Sequence, residues 1–169
     1  MEWLITNKPV PYDKALSVME KRVEGIKNGT LDEAVWLLEH PDLYTGGTSA
    51  QPSDLLKPTQ FPVYETGRGG QYTYHGPGQR IAYTMINLKN RDCDVRRYVN
   101  DLEEWIILSL RALGVSAVRR NGRVGIWVTR KNGNEDKIAA IGIRIRKWIT
   151  FHGISINVAP NLDHYNGII

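Results

Sequence analysis

The sequence predicts an α+β fold, a mixed but mainly antiparallel central sheet flanked by helices. Three observations predict it. Two stretches, one early and one central, carry apolar residues at spacings of three and four, the mark of helices buried along one face. Short apolar or alternating runs elsewhere read as strands. From Ala117 onward these runs follow one another with no helix between them, which argues against a strictly alternating parallel fold.

The elements follow in order. Pro11 to Asn28 reads as the first helix, with Tyr12, Ala15, Leu16, Met19, Val23 and Ile26 on one stripe and Asn28-Gly29 as its stop. Ala34-Val35-Trp36-Leu37-Leu38 is a continuous apolar run, too short for a typical helix, and reads as a strand buried on both faces. His40 to Pro62 reads as a long irregular loop, marked by Gly46-Gly47, Pro52 and Pro58, and such loops are often functional. Val63 to Thr66, Gln71 to Tyr74 and Ile81 to Leu88 read as strands, the last two joined by a turn at His75-Gly76-Pro77-Gly78-Gln79. Asp94 to Leu113 reads as the second helix, ended by Gly114. Strands are expected at Ala117–Arg119, Val124–Thr129, Ile138–Ile145 and Ile154–Val158, with Lys131-Asn132-Gly133-Asn134 as a hairpin.

Composition bounds the function. Of the 169 residues 41% are hydrophobic and 24% charged, as in a soluble globular chain, so residues 1–169 are expected to form one domain. No apolar run reaches membrane-spanning length and Met1 to Thr6 lack signal-peptide regions, so a cytoplasmic location with no membrane partner is expected. The net charge of +4 favours acidic partners. The basic clusters Arg96-Arg97, Arg119-Arg120-Asn121-Gly122-Arg123 and Arg144-Ile145-Arg146-Lys147 read as solvated faces, so no nucleic-acid partner is expected. A single cysteine excludes an internal disulfide framework, and nothing has metal-ligand spacing, so no metal is expected.

Gly67-Arg68-Gly69-Gly70-Gln71-Tyr72-Thr73-Tyr74-His75-Gly76-Pro77-Gly78-Gln79 is the densest candidate for chemistry. Five glycines permit unusual turns and close approach of a ligand to main-chain N–H groups, which can stabilise an oxyanion. Arg68 can bind an anion and His75 can bind or exchange a proton. A glycine-rich hairpin with no ligand gives the same pattern, and one Arg-Gly-Gly is no RNA-binding repeat. Lys137 opens an apolar strand, where desolvation would make it a usable base; a surface lysine at a strand end looks the same. His152, beside Gly153, marks either a pocket edge or a sheet margin. Cys93 stands before the second helix, but Asp92 and Asp94 oppose its thiolate, and it reads as passive.

The block from Arg68 to Gln79 closely resembles the lipoyl(octanoyl) transferase family. Tyr44-Thr45-Gly46-Gly47, Val124-Gly125, Lys137-Ile138-Ala139-Ala140-Ile141-Gly142-Ile143-Arg144 and Phe151 to Val158 support the resemblance, which spans the chain in order. It implies the fold of biotin and lipoate protein ligases and a single catalytic domain. It implies an acyltransferase of lipoate biosynthesis that moves an octanoyl group from octanoyl-acyl carrier protein to a lysine of lipoyl domains, those of 2-oxoacid dehydrogenases and the glycine cleavage system. No cofactor is implied. The resemblance places substrate contacts at Arg68, Gly69, Gly70, Gln71, Tyr72, Thr73, Tyr74 and His75, at Ala140, Ile141 and Gly142, and at Gly153, Ile154 and Ser155. Lys137 matches the family's lysine, which lowers the pKa of a cysteine nucleophile, and main-chain donors near an Ile141-Gly142 turn or in the cysteine loop would hold the oxyanion. The family's cysteine lies in a Pro-Cys-Gly segment that follows a stretch like Asn166-Gly167-Ile168-Ile169, where this sequence ends. The expectation is therefore that these 169 residues do not form the acyl-enzyme. An ATP-dependent lipoate–protein ligase and an inactive carrier-binding domain are the alternatives.

Overall fold

Residues 1–169 are described by a computed structural model. In chain order the elements are β1 (Glu2–Ile5), α1 (Tyr12–Lys27), β2 (Ala34–Leu38), β3 (Leu43–Gly46), β4 (Val63–Glu65), β5 (Tyr72–His75), β6 (Gln79–Met85), α2 (Val95–Ala112), β7 (Val118–Arg120), β8 (Arg123–Thr129), β9 (Glu135–Arg146) and β10 (Ile149–Asn157), with three short 3-10 segments. Seven strands form the main sheet in the order β1-β2-β6-β10-β9-β8-β7. Within this sheet only β1 and β2 pair in parallel; its other pairs are antiparallel.

Side-chain alternation explains the layers. Val35 joins the core beneath α2, whereas Ala34, Trp36 and Leu38 join the core beneath α1. The β2 run is apolar throughout because both its faces are covered. Ala15, Met19, Val23 and Ile26 bury the stripe of α1 against Ile81, Tyr83, Met85, Ile149 and Phe151. Leu102, Ile106 and Leu110 of α2 do the same on the opposite face with Ala82, Ile126, Ala139 and Ile154. Burying one such aliphatic side chain contributes roughly 1.5–3 kcal/mol. The Asp94 side chain accepts from the Arg97 N–H at 2.9 Å and starts α2, and Gly114, at φ +80°, lies just past its end.

The helices and the later strands lie where the sequence places them, within a few residues. Three differences concern the site. The expected loop from His40 to Pro62 contains β3, a buried four-residue strand that pairs with β4 and β5 in a second sheet. It is too short and too close to Gly46-Gly47 to show periodicity. Strand β10 starts at Ile149, five residues before the expected Ile154, behind a two-residue hairpin at Lys147 and Trp148. Both turn residues have positive φ, 54° and 66°, and neither is the glycine or asparagine that signals such a turn. Finally, Ile141-Gly142 is no turn: it lies in mid-strand, with Gly142 opposite Gly153.

Candidate functional site

A cavity of about 580 Å³ opens where β9 outruns its neighbour. Strand β8 pairs with β9 only as far as Ala139, so the β9 edge beyond it is free of the main sheet. The glycine-rich loop takes that place, and the Gly69 N–H donates to the Ile143 carbonyl at 3.0 Å. Residues two apart in a strand aim their main-chain groups to the same side. The Ile141 N–H therefore points to this open edge, towards the cavity.

Arg68 crosses the cavity wall. A β-carbon on Gly142 would lie 3.0 Å from Arg68 Cδ, so the glycine makes room for the arginine stem. The guanidinium, in a residue only 8% exposed, donates to the Thr45 carbonyl at 2.6 Å, to Thr45 Oγ1 at 2.7 Å and to the Gly69 carbonyl at 2.9 Å. No carboxylate pairs with it, and burial lowers its pKa.

Two histidines line the same enclosed end. His75 Nδ1 meets Gln79 Oε1 at 2.6 Å; the amide oxygen accepts, so Nδ1 carries the proton. His152 Nε2 is 2.9 Å from the Tyr12 hydroxyl, while its Nδ1 is buried without a partner. Burial, with the charges of nearby groups, pushes both histidines down to about 3, so both are neutral at ordinary pH. His152 also has φ +62°. This left-handed step within β10 turns its ring to the α1 face, beside Phe151, at a ring-centroid distance of 5.1 Å. Next to it, a β-carbon on Gly153 would overlap the Ala82 carbonyl oxygen. Burial pushes the Tyr12 hydroxyl up to about 12.

Lys137 and Val124 line the open end, together with Gly70 and Gln71. Lys137 is exposed on β9, has no ion-pair partner, and has its pKa lowered by desolvation and by the nearby Arg123 charge.

Comparison with known proteins places the chain. The family model described as the lipoyl protein ligase A/B catalytic domain matches residues 11–169. The chain is 61% identical to an octanoyltransferase of Paramagnetospirillum magneticum over 169 residues, covering 100% of this chain and 80% of that protein. It is also 61% identical to an octanoyltransferase of Ehrlichia ruminantium, over 100% of this chain and 81% of the relative. The chain belongs to the lipoyl protein ligase A/B catalytic domain family. Among solved structures, a bipartite lipoate protein ligase from Thermoplasma acidophilum superposes with a TM-score of 0.72 at 18% identity, covering 99% of this chain and 66% of that one. That likeness shows the shared ligase fold.

The cavity of this family member gathers Arg68, Gly69, Gly70, Gln71, Tyr72, Thr73 and His75, all of Ala140 to Gly142 and Gly153 to Ser155, and Lys137. Tyr74 stands apart. Its ring is buried on the other side of β5, and its hydroxyl donates to Asp42 at 2.6 Å. Alternation along β5 sends neighbours to opposite faces. Cys93 does not line the cavity; its N–H donates to the Leu88 carbonyl at 3.0 Å ahead of α2. Sequence reasoning missed Tyr12, Thr45 and Tyr83, which line the enclosed end. Tyr12 belongs to the apolar stripe of α1, and only its hydroxyl distinguishes it there. His152 lies in the central strand, between β6 and β9, so the sheet-margin reading does not hold. The arginines Arg119, Arg120 and Arg123 form ion pairs with Glu103, Glu104 and Glu135, the last shared by Arg120 and Arg123.

Proposed function

We propose that this chain serves octanoyl transfer to a lysine amine of lipoyl domains, with octanoyl-acyl carrier protein as donor, in a cytoplasmic setting. One observation carries the reading. Segments far apart in sequence, Arg68–His75, Lys137, Ala140–Gly142 and Gly153–Ser155, line one cavity, with an amine at its open end. The names of the relatives at 61% identity support octanoyl as the group moved.

In this reading the acyl chain lies along Ile141 and Ile154, with its carbonyl near Lys137. The Ile141 N–H supplies a fixed dipole at the β9 edge, where negative charge develops on the carbonyl oxygen. Lys137 takes the proton of the attacking thiol, the thiolate forms a new thioester with the acyl group, and the carrier leaves as a thiolate that the Lys137 ammonium protonates. The acceptor amine then attacks, loses a proton and forms the amide. Lys137 can take that proton and return it to the leaving thiolate. No cysteine lines the cavity, so residues 1–169 supply acyl binding, oxyanion stabilisation and proton handling, and Cys93 is not the nucleophile. His75 and His152, neutral and enclosed, bind and do not serve as acids.

Binding of octanoyl-acyl carrier protein to the 169-residue chain tests the reading. Arg68→Met is expected to weaken binding roughly tenfold or more, through loss of its charged hydrogen bonds and the freeing of buried Thr45. Equal affinity for the unacylated carrier, or pyrophosphate release from ATP with free octanoate, would overturn it.

A further inference from the structure

The pairing that carries Lys137 is irregular. Ile126 faces Ala139 and Trp127 faces Lys137, which leaves Ile138 without a partner on β8. A bulge of this kind re-aims the side chains beside it. Just before it stands Gly125 at φ +106°, where a β-carbon would overlap Lys137 Cε and lie 2.6 Å from the Ala139 carbonyl oxygen. The lysine stem therefore fills the space that a side chain at 125 would occupy.

Two further residues complete this slot. The Trp127 ring centroid lies 5.7 Å from Lys137 Nζ, and the Arg123 guanidinium lies 3.5 Å from the same centroid. Glu135 anchors Arg123 at 2.7 Å and is shared with Arg120. Asp136, the other acid next to Lys137, is taken by Arg130. From β10 comes only the uncharged Asn157, whose amide reaches the Lys137 carbonyl at 3.5 Å. Both acids adjacent in sequence are thus bound by arginines, and Lys137 has no carboxylate partner.

We propose that Gly125, Trp127 and Arg123 are positioning residues for Lys137: the glycine slot and tryptophan wall aim its amine, and Arg123 sets a second positive charge beside it while occupying Glu135. This rests on Lys137 acting in proton transfer, as proposed above. The Gly125 slot and the Trp127 ring partly desolvate the amine and lower its pKa, and the Arg123 charge lowers it further. More of the amine is then unprotonated near neutrality. Its lone pair accepts the proton as the S–H or N–H bond of the nucleophile breaks, and the resulting ammonium protonates the departing thiolate.

The test needs no turnover. Amine acylation of the 169-residue chain by acetic anhydride, followed by peptide mass across a pH series, reads the midpoint of Lys137 against exposed Lys131 as internal reference. Wild-type Lys137 is expected to become reactive at lower pH than Lys131. Arg123→Met is expected to raise its midpoint by about half a unit, a threefold change in free amine, and Arg123→Lys to restore most of it. Trp127→Leu should move the Lys137 midpoint and leave that of Lys131 in place. Identical midpoints for Lys137 and Lys131 in the wild type, or an unmoved Lys137 midpoint in both Arg123→Met and Trp127→Leu, would overturn the proposal. Octanoyl transfer from the carrier to an added thiol that survives Lys137→Gln would sink the catalytic reading of Lys137 while leaving the wild-type midpoints intact, so the two failures are distinguishable.

Discussion

At the enclosed end of the cavity His75 and His152 are 8% and 3% exposed and are held neutral. At the open end Lys137 is exposed, lies against an aromatic ring and has a second cation as neighbour. The enclosed end is dense with hydrogen bonds among Arg68, Thr45, Tyr12 and the histidines, and it tolerates backbone strain at His152 because packing on both faces of β10 over-determines it. The open end is built from a bulge, a glycine and ion pairs on an outlying hairpin. Changes at the first region should therefore register mainly in stability and acyl binding, and changes at the second mainly in chemistry.

The largest effect expected is at the open end. With an added thiol as the nucleophile, Lys137→Gln should lower octanoyl transfer from the carrier about 10²–10⁴-fold, the usual scale for loss of a proton-transfer group. Its stability should stay within about 0.5 kcal/mol of the parent, since an exposed side chain without an ion pair is removed. Transfer assays and urea unfolding on the same preparations would check both halves; a large stability loss with unchanged transfer would invert the comparison.

Gly153→Ala probes the opposite end. Its β-carbon meets the Ala82 main chain in the middle of the sheet, which cannot yield as a side chain can. A stability loss of about 3 kcal/mol is expected from such overpacking. A variant that melts like the parent would show that β6 and β10 can separate locally.

Acid sharpens the contrast. An unfolded histidine titrates near its ordinary 6.5, whereas folded His75 and His152 titrate near 3. Between these values the unfolded chain binds more protons, so stability is fully present above about 6.5 and falls as pH falls towards 3. The loss between pH 6.5 and 5.5 should be roughly 1 kcal/mol per histidine. His40, whose pKa is lowered by burial, adds in the same direction. Urea midpoints across this range should fall less steeply for His152→Phe; parallel slopes would mean that His152 is protonated in the folded protein.

Much of the scaffold was legible because periodicity reports burial. The run at Ala34–Leu38 announced a strand covered on both faces, and the stripes of α1 and α2 announced the two cores. Lys137 and the glycine-rich loop were legible through residue type and the family resemblance. What stayed hidden depends on pairing across the chain. Gly142 suggested a turn, yet it serves as a gap for the Arg68 stem. The left-handed φ of His152 had no local signal, since glycine and asparagine are the residues that announce such geometry. The slot around Lys137 requires β8 and β9 in register with one residue skipped, which neither strand reveals by itself.

Cys93 carries the smallest effect and the sharpest negative control. Its N–H donates to the Leu88 carbonyl at 3.0 Å, and the neighbouring Asp94 caps α2 through the Arg97 N–H. The residue does not line the cavity that holds Lys137. Cys93→Ser is therefore expected to leave octanoyl-carrier binding and stability unchanged within about 0.5 kcal/mol. Intact-mass analysis after incubation with octanoyl-acyl carrier protein should find no octanoyl adduct on Cys93. A hydroxylamine-labile adduct at that position would mean that the cavity at Lys137 is not where the acyl group is received, and the division of labour between the two ends would have to be redrawn.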